Sequence, residues 1–296
     1  PVWEVAVLAA ILAPTDAALG QSVVSNPTVP ARVRRALVAE SGLNDGFALP
    51  LILFLSCIAL GGQHDFVETT WLAFAIQQIG LGLVVGAAVG FAGGYLLKRA
   101  NAAGLAETLT EGIAVLALAA LSYLLADSVG GNGFIAAFAG GLAFGRALGG
   151  QCAFATEFLE GEGRLLILAS FLAIGMFLLP EAFAHAGLAE VGLVLASLVL
   201  VRPAAIWLSL IGSDADAKAR LFMGWFGPRG LATALFALLV LDRAMLEHGN
   251  AILAIAALAV GISAVLHGVT AAPLARRYDQ KTAQSDGAVA SAKSGT

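Results

Sequence analysis

The chain of 296 residues is 59% hydrophobic and 12% charged, with a formal net charge of -4. Soluble domains carry about 25% charged residues, so half that load excludes an ordinary soluble domain. Two cysteines, Cys57 and Cys152, both in apolar stretches, exclude a disulfide framework or a cysteine metal site and are expected as small core residues.

Apolar runs long enough to cross a bilayer, about 17–25 residues each, recur along the chain. In order they predict nine spans at roughly 1–25 (interrupted), 36–60, 70–98, 108–126, 131–147, 164–185, 187–211, 217–242 and 250–275. Ala, Leu and Gly dominate them, and the alternating ten-residue pattern of a β-barrel is missing. The expected fold class is therefore an all-α polytopic membrane protein. In the third span Gly82, Gly86 and Gly90 recur every four residues. They suit close helix packing, or they reflect only the abundance of glycine in membrane helices. The connector before the sixth span carries Glu160, Glu162 and Arg164 beside Phe154, Phe158 and Leu159. That pattern predicts an interfacial helix acting as a mechanical link. Residues 279–296, rich in Ser, Ala, Gly and Lys, read as a disordered tail. The chain opens on Pro1, Val2 and Trp3, already apolar, and is expected to be part of a longer protein whose preceding spans lie upstream.

Loop charges orient the spans. Arg32, Arg34, Arg35, Lys98, Arg99, Arg146, Arg164, Lys218, Arg220, Arg276, Arg277 and Lys281 fall in alternate connections. The opposite connections carry His64, Asp65, Glu68, Asp127, Glu181 and Glu190, with Arg243 the one basic residue. The positive-inside rule puts the basic side and the C-terminus in the cytoplasm.

Polar groups within spans cost at least about 2.5 kcal/mol each at mid-helix and mark function by default. In the first span Pro14, Thr15 and Asp16 precede Gly20. Pro14 removes an amide donor, so the helix is expected to break and free carbonyls for an ion. Equally, Thr15 and Asp16 cap a helix that starts at Ala17. In the second span Ser41 and Asp45 share one helical face, and Glu40 and Asn44 the next. A hydroxyl and a carboxylate on one face are hard oxygen ligands for a small cation; solvated acids at a helix start are the weaker reading. Arg229, half-way along the eighth span, needs a partner, and Glu40 is the acid expected to pair with it. Near the chain's end His267 and Gly268 precede Pro273 and are expected to interrupt the last span as Pro14 and Gly20 interrupt the first, suggesting inverted repeats. The His267 ring titrates near neutral pH or, more simply, serves as a hydrogen-bonding group. Asn132 is expected to cap the fifth span. Arg202-Pro203 is either a kink or a buried charge.

The stretch from Pro14 through Asn44-Asp45 to Phe54, followed by the segments beginning Asn132-Gly133, Arg202-Pro203, Gly227-Pro228-Arg229-Gly230 and Leu266-His267-Gly268, resembles the monovalent cation:proton antiporter-1 family, the sodium/proton exchangers. The resemblance covers nearly the whole chain except the tail. It implies a dimeric inner-membrane transporter, not an enzyme, with a partial inverted-repeat antiporter fold. A core domain would move against a fixed dimerisation domain. Core helices would occupy 1–60, linking and dimerisation-side helices with further core helices 61–163, second-repeat helices 164–278, and a cytoplasmic tail 279–296. The implied ion site is Asp45, Ser41 and the backbone at Thr15, with Asp16 and Asn44 nearby, holding Na+ or its congeners K+ and Li+. Glu40 and Arg229 would be the structural ion pair. The family often has Gln at the place of His267. The resemblance calls for no cofactor and no nucleic-acid partner; the partners are Na+, H+, the lipid bilayer and a second copy of the chain. With Asn44 beside a single titrating Asp45, exchange of one cation for one proton is expected. The rivals are a cation channel, which needs a filter-like ring of carbonyls or acids, and a sodium-coupled solute symporter, which needs a pocket of convergent polar groups.

Overall fold

In a computed structural model, residues 1–60, 70–105, 108–149, 153–244 and 246–294 are described. Every regular element among them is helical. Cys152 and the loop residues His64, Asp65 and Glu68 lie outside this set; Cys57 is a free, half-buried thiol. The helices are α1 Val2–Ile11, α2 Gln21–Val24, α3 Ala31–Ala59, α4 Thr70–Ala102, α5 Thr108–Ser128, α6 Gly133–Leu148 and α7 Ala153–Ala173, then α8 Leu179–His185, α9 Leu188–Ala196, α10 Arg202–Ser209, α11 Ala217–Trp225, α12 Leu231–Ala244 and α13 Gly249–Ser294.

Six stretches are long and apolar enough to cross a membrane unaided: Ala31–Ala59, Ala73–Ala102, Glu111–Ser128, Gly163–His185, Leu188–Ser209 and Gly249–Tyr278. The protein is a multi-pass membrane protein. The other three predicted spans hold shorter apolar helices, α1, α6 and the apolar part of α12. For α1 and α12 the cause is an interruption of the helix, at residues 12–20 and 226–230.

One expectation changes here. The connector before the sixth span is no separate interfacial helix, because α7 begins at Ala153 and runs on into that span. Helix α13 is drawn on through 279–294, the stretch expected as a tail.

Prolines shape two spans in the same way. Helices α7 and α8 are joined by a π turn at Ile174–Leu178, and α9 and α10 by another at Ser197–Val201. Each turn ends two residues before a proline, Pro180 and Pro203. A proline cannot donate to the carbonyl four residues back, so the helix widens by one residue instead of breaking.

The chain forms two compact units, each from several stretches: 1–11, 42–174 and 239–247 in the first; 12–41, 175–238 and 248–296 in the second. The first is built on the packing of α4, α5 and α6. Glycines set the α4–α6 distance. A Cβ on Gly82 would lie 2.7 Å from the Asn132 carbonyl, and Cβ atoms on Gly86 and Gly90 would overlap the backbone at Ala136 and Gly140. The four-residue glycine repeat is thus a packing face. Gly86→Val should force α4 from α6 and destabilise the fold by roughly 1–3 kcal/mol, visible as a lower melting temperature in detergent.

In the second unit Val23, Val33, Leu37, Phe222, Phe226 and Tyr278 belong to one apolar cluster. Phe222 stacks at 4.6 Å on both Phe226 and Tyr278. This cluster fixes the short α2, the start of α3, α11 and the middle of α13, the elements that frame the site.

Candidate functional site

The site lies in the second unit, where two interruptions of helix meet. The first spans residues 12–20, between α1 and α2; the second spans 226–230, between α11 and α12. Backbone groups freed in such breaks must be satisfied by protein, because lipid offers no hydrogen bonds. In the first break, Arg229 Nη1 donates to the Ala13 carbonyl at 2.7 Å and the Pro14 carbonyl at 3.1 Å. The Ser41 hydroxyl, on α3, donates to the Thr15 carbonyl at 2.7 Å and accepts from the Ala17 amide at 3.0 Å. In the second break the Pro228 carbonyl accepts from the Asp16 amide at 2.8 Å. The Arg229 amide donates to the Ser263 hydroxyl at 2.8 Å.

The breaks therefore satisfy each other reciprocally. Asp16 Oδ1 accepts from the Ala18 amide at 2.8 Å and Oδ2 from the Leu231 amide, the first of α12, at 3.2 Å. A carboxylate thus sits at a helix N-terminus and a guanidinium on the open carbonyls after α1, each at the pole that favours its charge. Asp16 does act as a cap, but of a helix 215 residues away as well as of its own turn.

Glycines of the second break make room for the charges. A Cβ on Gly230 would overlap the Asp16 carboxylate, and one on Gly227 the Arg202 guanidinium. Gly230→Ala should push Asp16 off the Leu231 amide and destabilise the fold by roughly 1–3 kcal/mol. An unchanged melting temperature in detergent would refute that close approach.

Thr15, Asp16, Ser41, Phe226, Gly227 and Pro228 are among the residues lining a cavity of about 10 Å³. That volume holds about one water-sized sphere. Thr15 and Ser41 are buried and Asp16 half-buried. Asn44 and Asp45 follow on α3, both half-buried. Because α3 is continuous from Ala31, Asp45 sits about four turns inside it and one turn beyond Ser41 on the same face. This removes the reading of these acids as a solvated helix start.

The expected Glu40–Arg229 pair is not formed. Glu40 Oε1 instead accepts from Arg202 Nη1 at 2.8 Å, with the Arg202 side chain 6% exposed and that of Glu40 27%. Arg202 also reaches the Met223 carbonyl at 3.5 Å. The error has a physical cause. Two arginines lie within spans, and charge need alone does not say which takes Glu40 and which takes carbonyls. The buried-charge reading of Arg202-Pro203 is the one the structure shows.

The expected interruption at His267 and Gly268 is also absent, since α13 runs unbroken through both and through Pro273. One missing proline amide leaves one carbonyl open and does not end a helix so well packed. The second break falls instead where Pro228 and Arg229 stand between Gly227 and Gly230. His267, 3% exposed, serves that break: Nε2 lies 2.9 Å from the Trp225 carbonyl, and Nδ1 lies 3.0 Å from the Ser263 hydroxyl and 2.9 Å from the Ser263 carbonyl. With its proton on Nε2, the ring donates to Trp225 and accepts from the hydroxyl that takes the Arg229 amide. Trp225 Nε1 adds a bond to Thr270 Oγ1 at 3.0 Å. Ser263 went unnoticed in the sequence. Its spacing of four from His267 was the available signal.

Comparison with known proteins agrees with this architecture. The family model for the sodium/hydrogen exchanger, transmembrane, matches residues 1–277. The K(+)/H(+) antiporter NhaP2 of Shewanella oneidensis is 31% identical over 231 residues, 77% of this chain and 39% of the relative. The K(+)/H(+) antiporter NhaP of Alkalimonas amylolytica is 28% identical over 241 residues, 78% of this chain and 40% of the relative. The chain thus spans about two fifths of the length of these relatives. The structure of the sodium proton antiporter MjNhaP1 from Methanocaldococcus jannaschii superposes with a TM-score of 0.69, covering 92% of this chain and 70% of that one at 23% identity, and shares its fold. With two hydrogen-bonded helix breaks in its second unit and a family match over residues 1–277, the chain belongs to the sodium/hydrogen exchanger transmembrane family.

Proposed function

We propose that this chain carries the exchange path of a secondary transporter that moves a monovalent cation against a proton. The observation that carries the reading is the reciprocal hydrogen bonding of two helix breaks, with Ser41 holding the Thr15 carbonyl and Asp45 one turn further along α3. Broken helices that aim carbonyls and a carboxylate at one depth are the usual ion site of secondary transporters.

Asp45 is the group that binds either cation or proton. A cation at a carboxylate opposes its protonation, so competition for one acid couples the two ions. Ser41 and the Thr15 backbone supply neutral oxygens, with Asn44 and Asp16 nearby. Asp16, fixed by the Leu231 amide, holds the two breaks in register. One titrating aspartate gives exchange of one cation for one proton with no net charge moved. Rocking of a core domain against a dimerisation domain exposes the site to either side, in a homodimer. The cell membrane, with the C-terminus in the cytoplasm, is the location that the loop charges favour.

Sodium is the cation the sequence resemblance favours, whereas the NhaP2 relatives named for K(+) favour potassium. Proteoliposomes loaded with a pH gradient decide both points. Added Na+ or K+ should collapse the gradient without generating a membrane potential, and the cation with the lower half-saturating concentration is the substrate. A potential generated by the cation alone would mean a channel, and dependence on an organic solute a symporter.

A further inference from the structure

We propose that Asn132 is a positioning residue for the exchange site, holding by its side-chain amide the Gly46 carbonyl beside Asp45. The inference rests on the assignment of Asp45 as the ion-binding acid. In an α-helix the carbonyl of residue 46 takes its hydrogen from the amide of residue 50. In α3 that residue is Pro50, which has no such hydrogen and whose ring pushes the carbonyl aside. Gly46 is buried, so neither water nor lipid supplies a donor.

The donor comes from α6. Asn132 Nδ2 donates to the Gly46 carbonyl at 2.9 Å, and Asn132 is 1% exposed. Its Oδ1 accepts from the Phe134 and Ile135 amides at 3.0 and 3.1 Å, capping α6. Its own amide donates to the Gln78 carbonyl of α4 at 2.9 Å. One residue therefore joins α3, α4 and α6, its side chain reaching α3 and capping α6 and its backbone amide reaching α4. The approach depends on glycine at position 46, where a Cβ would overlap the Ile135 side chain.

The residue type follows from the two tasks. Asp or Ser caps a helix as well as Asn does. Asp has no hydrogen to give Gly46, and Ser is too short to reach it. An amide oxygen and an amide nitrogen on a short stem are both required. The Gly46 carbonyl belongs to the peptide group one step beyond Asp45, so the way it is held sets the local path of α3 on which the Asp45 side chain stands. A ligand oriented by a second partner loses affinity when that partner is removed.

The test compares wild type, Asn132→Ser, Pro50→Ala and the double variant, all as the full chain. Asn132→Ser keeps a capping oxygen and removes the donor. It should lower the melting temperature by roughly 2–4 °C, the shift for one lost buried hydrogen bond. It should also raise the half-saturating cation concentration about tenfold while leaving the maximal rate nearly unchanged. Pro50→Ala restores a backbone donor to Gly46, so the double variant should recover most of both losses. If Asn132→Ser does not fold, folding recovered by the double variant supports the assignment, and an unfolded double variant overturns it. A double variant no more stable than Asn132→Ser shows that Asn132 only caps α6. Stability that recovers while cation affinity never moved shows a structural bond without a positioning role. Should wild type exchange no cation for protons, the assignment of Asp45 and the positioning role fall together, whereas the melting comparison still reads the amide–carbonyl bond alone.

Discussion

Asp45→Asn is expected to abolish cation-driven proton flux and to leave the folded protein intact. The substitution keeps the size and one acceptor oxygen but removes the charge for which, in the proposed exchange, a proton and a cation compete. Asp45 is half-buried in the middle of an unbroken helix, so the neutral amide should not weaken α3. Flux measured in proteoliposomes should fall to the level of empty liposomes for every cation tried. Asp45→Glu, which keeps the charge and moves it by one methylene, should retain flux at a higher half-saturating concentration. Full sodium- or potassium-dependent flux from the Asn variant would remove Asp45 from the site and leave Asp16 as the candidate acid.

The second large effect concerns stability. Glu40→Ala leaves Arg202, 6% exposed, without its carboxylate. Stranding a buried guanidinium costs roughly 3–5 kcal/mol when the pair is fully enclosed. Glu40 is 27% exposed, which lowers the expectation to about 2–4 kcal/mol. In a melting experiment Glu40→Ala should be strongly destabilising, and Glu40→Ala combined with Arg202→Ala less so than the sum of the two. Glu40→Ala combined with Arg229→Ala should lie much closer to additive, because Arg229 is held by the Ala13 and Pro14 carbonyls. Stronger coupling to Arg229 than to Arg202 would restore the pairing expected from the sequence.

The site was partly legible in advance. Pro14, Thr15 and Asp16 declare a break because proline chemistry is local. Ser41 and Asp45 declare a shared face because helical period is local. The Glu40 partner was not legible, since the choice between Arg202 and Arg229 depends on which helix passes nearest. The role of Gly227 and Gly230 was hidden for the same reason: each glycine is required by a side chain distant in sequence, Arg202 or Asp16. His267 and Pro273 misled because a proline and a histidine in an apolar run look alike whether the helix stops or continues.

By itself the sequence determined that this is a helical membrane protein, where its apolar segments lie, and which acids stand inside them. Those properties come from hydropathy, length and the period of a helix, all set within a few turns of chain. Only the tertiary structure decided that Asp16 reaches the Leu231 amide, that Arg229 serves the first break, and that Asn132 replaces the hydrogen Pro50 lacks. Each of these joins groups between 86 and 216 residues apart. Each exists because a polar group shut away from water must find its partner wherever packing brings one.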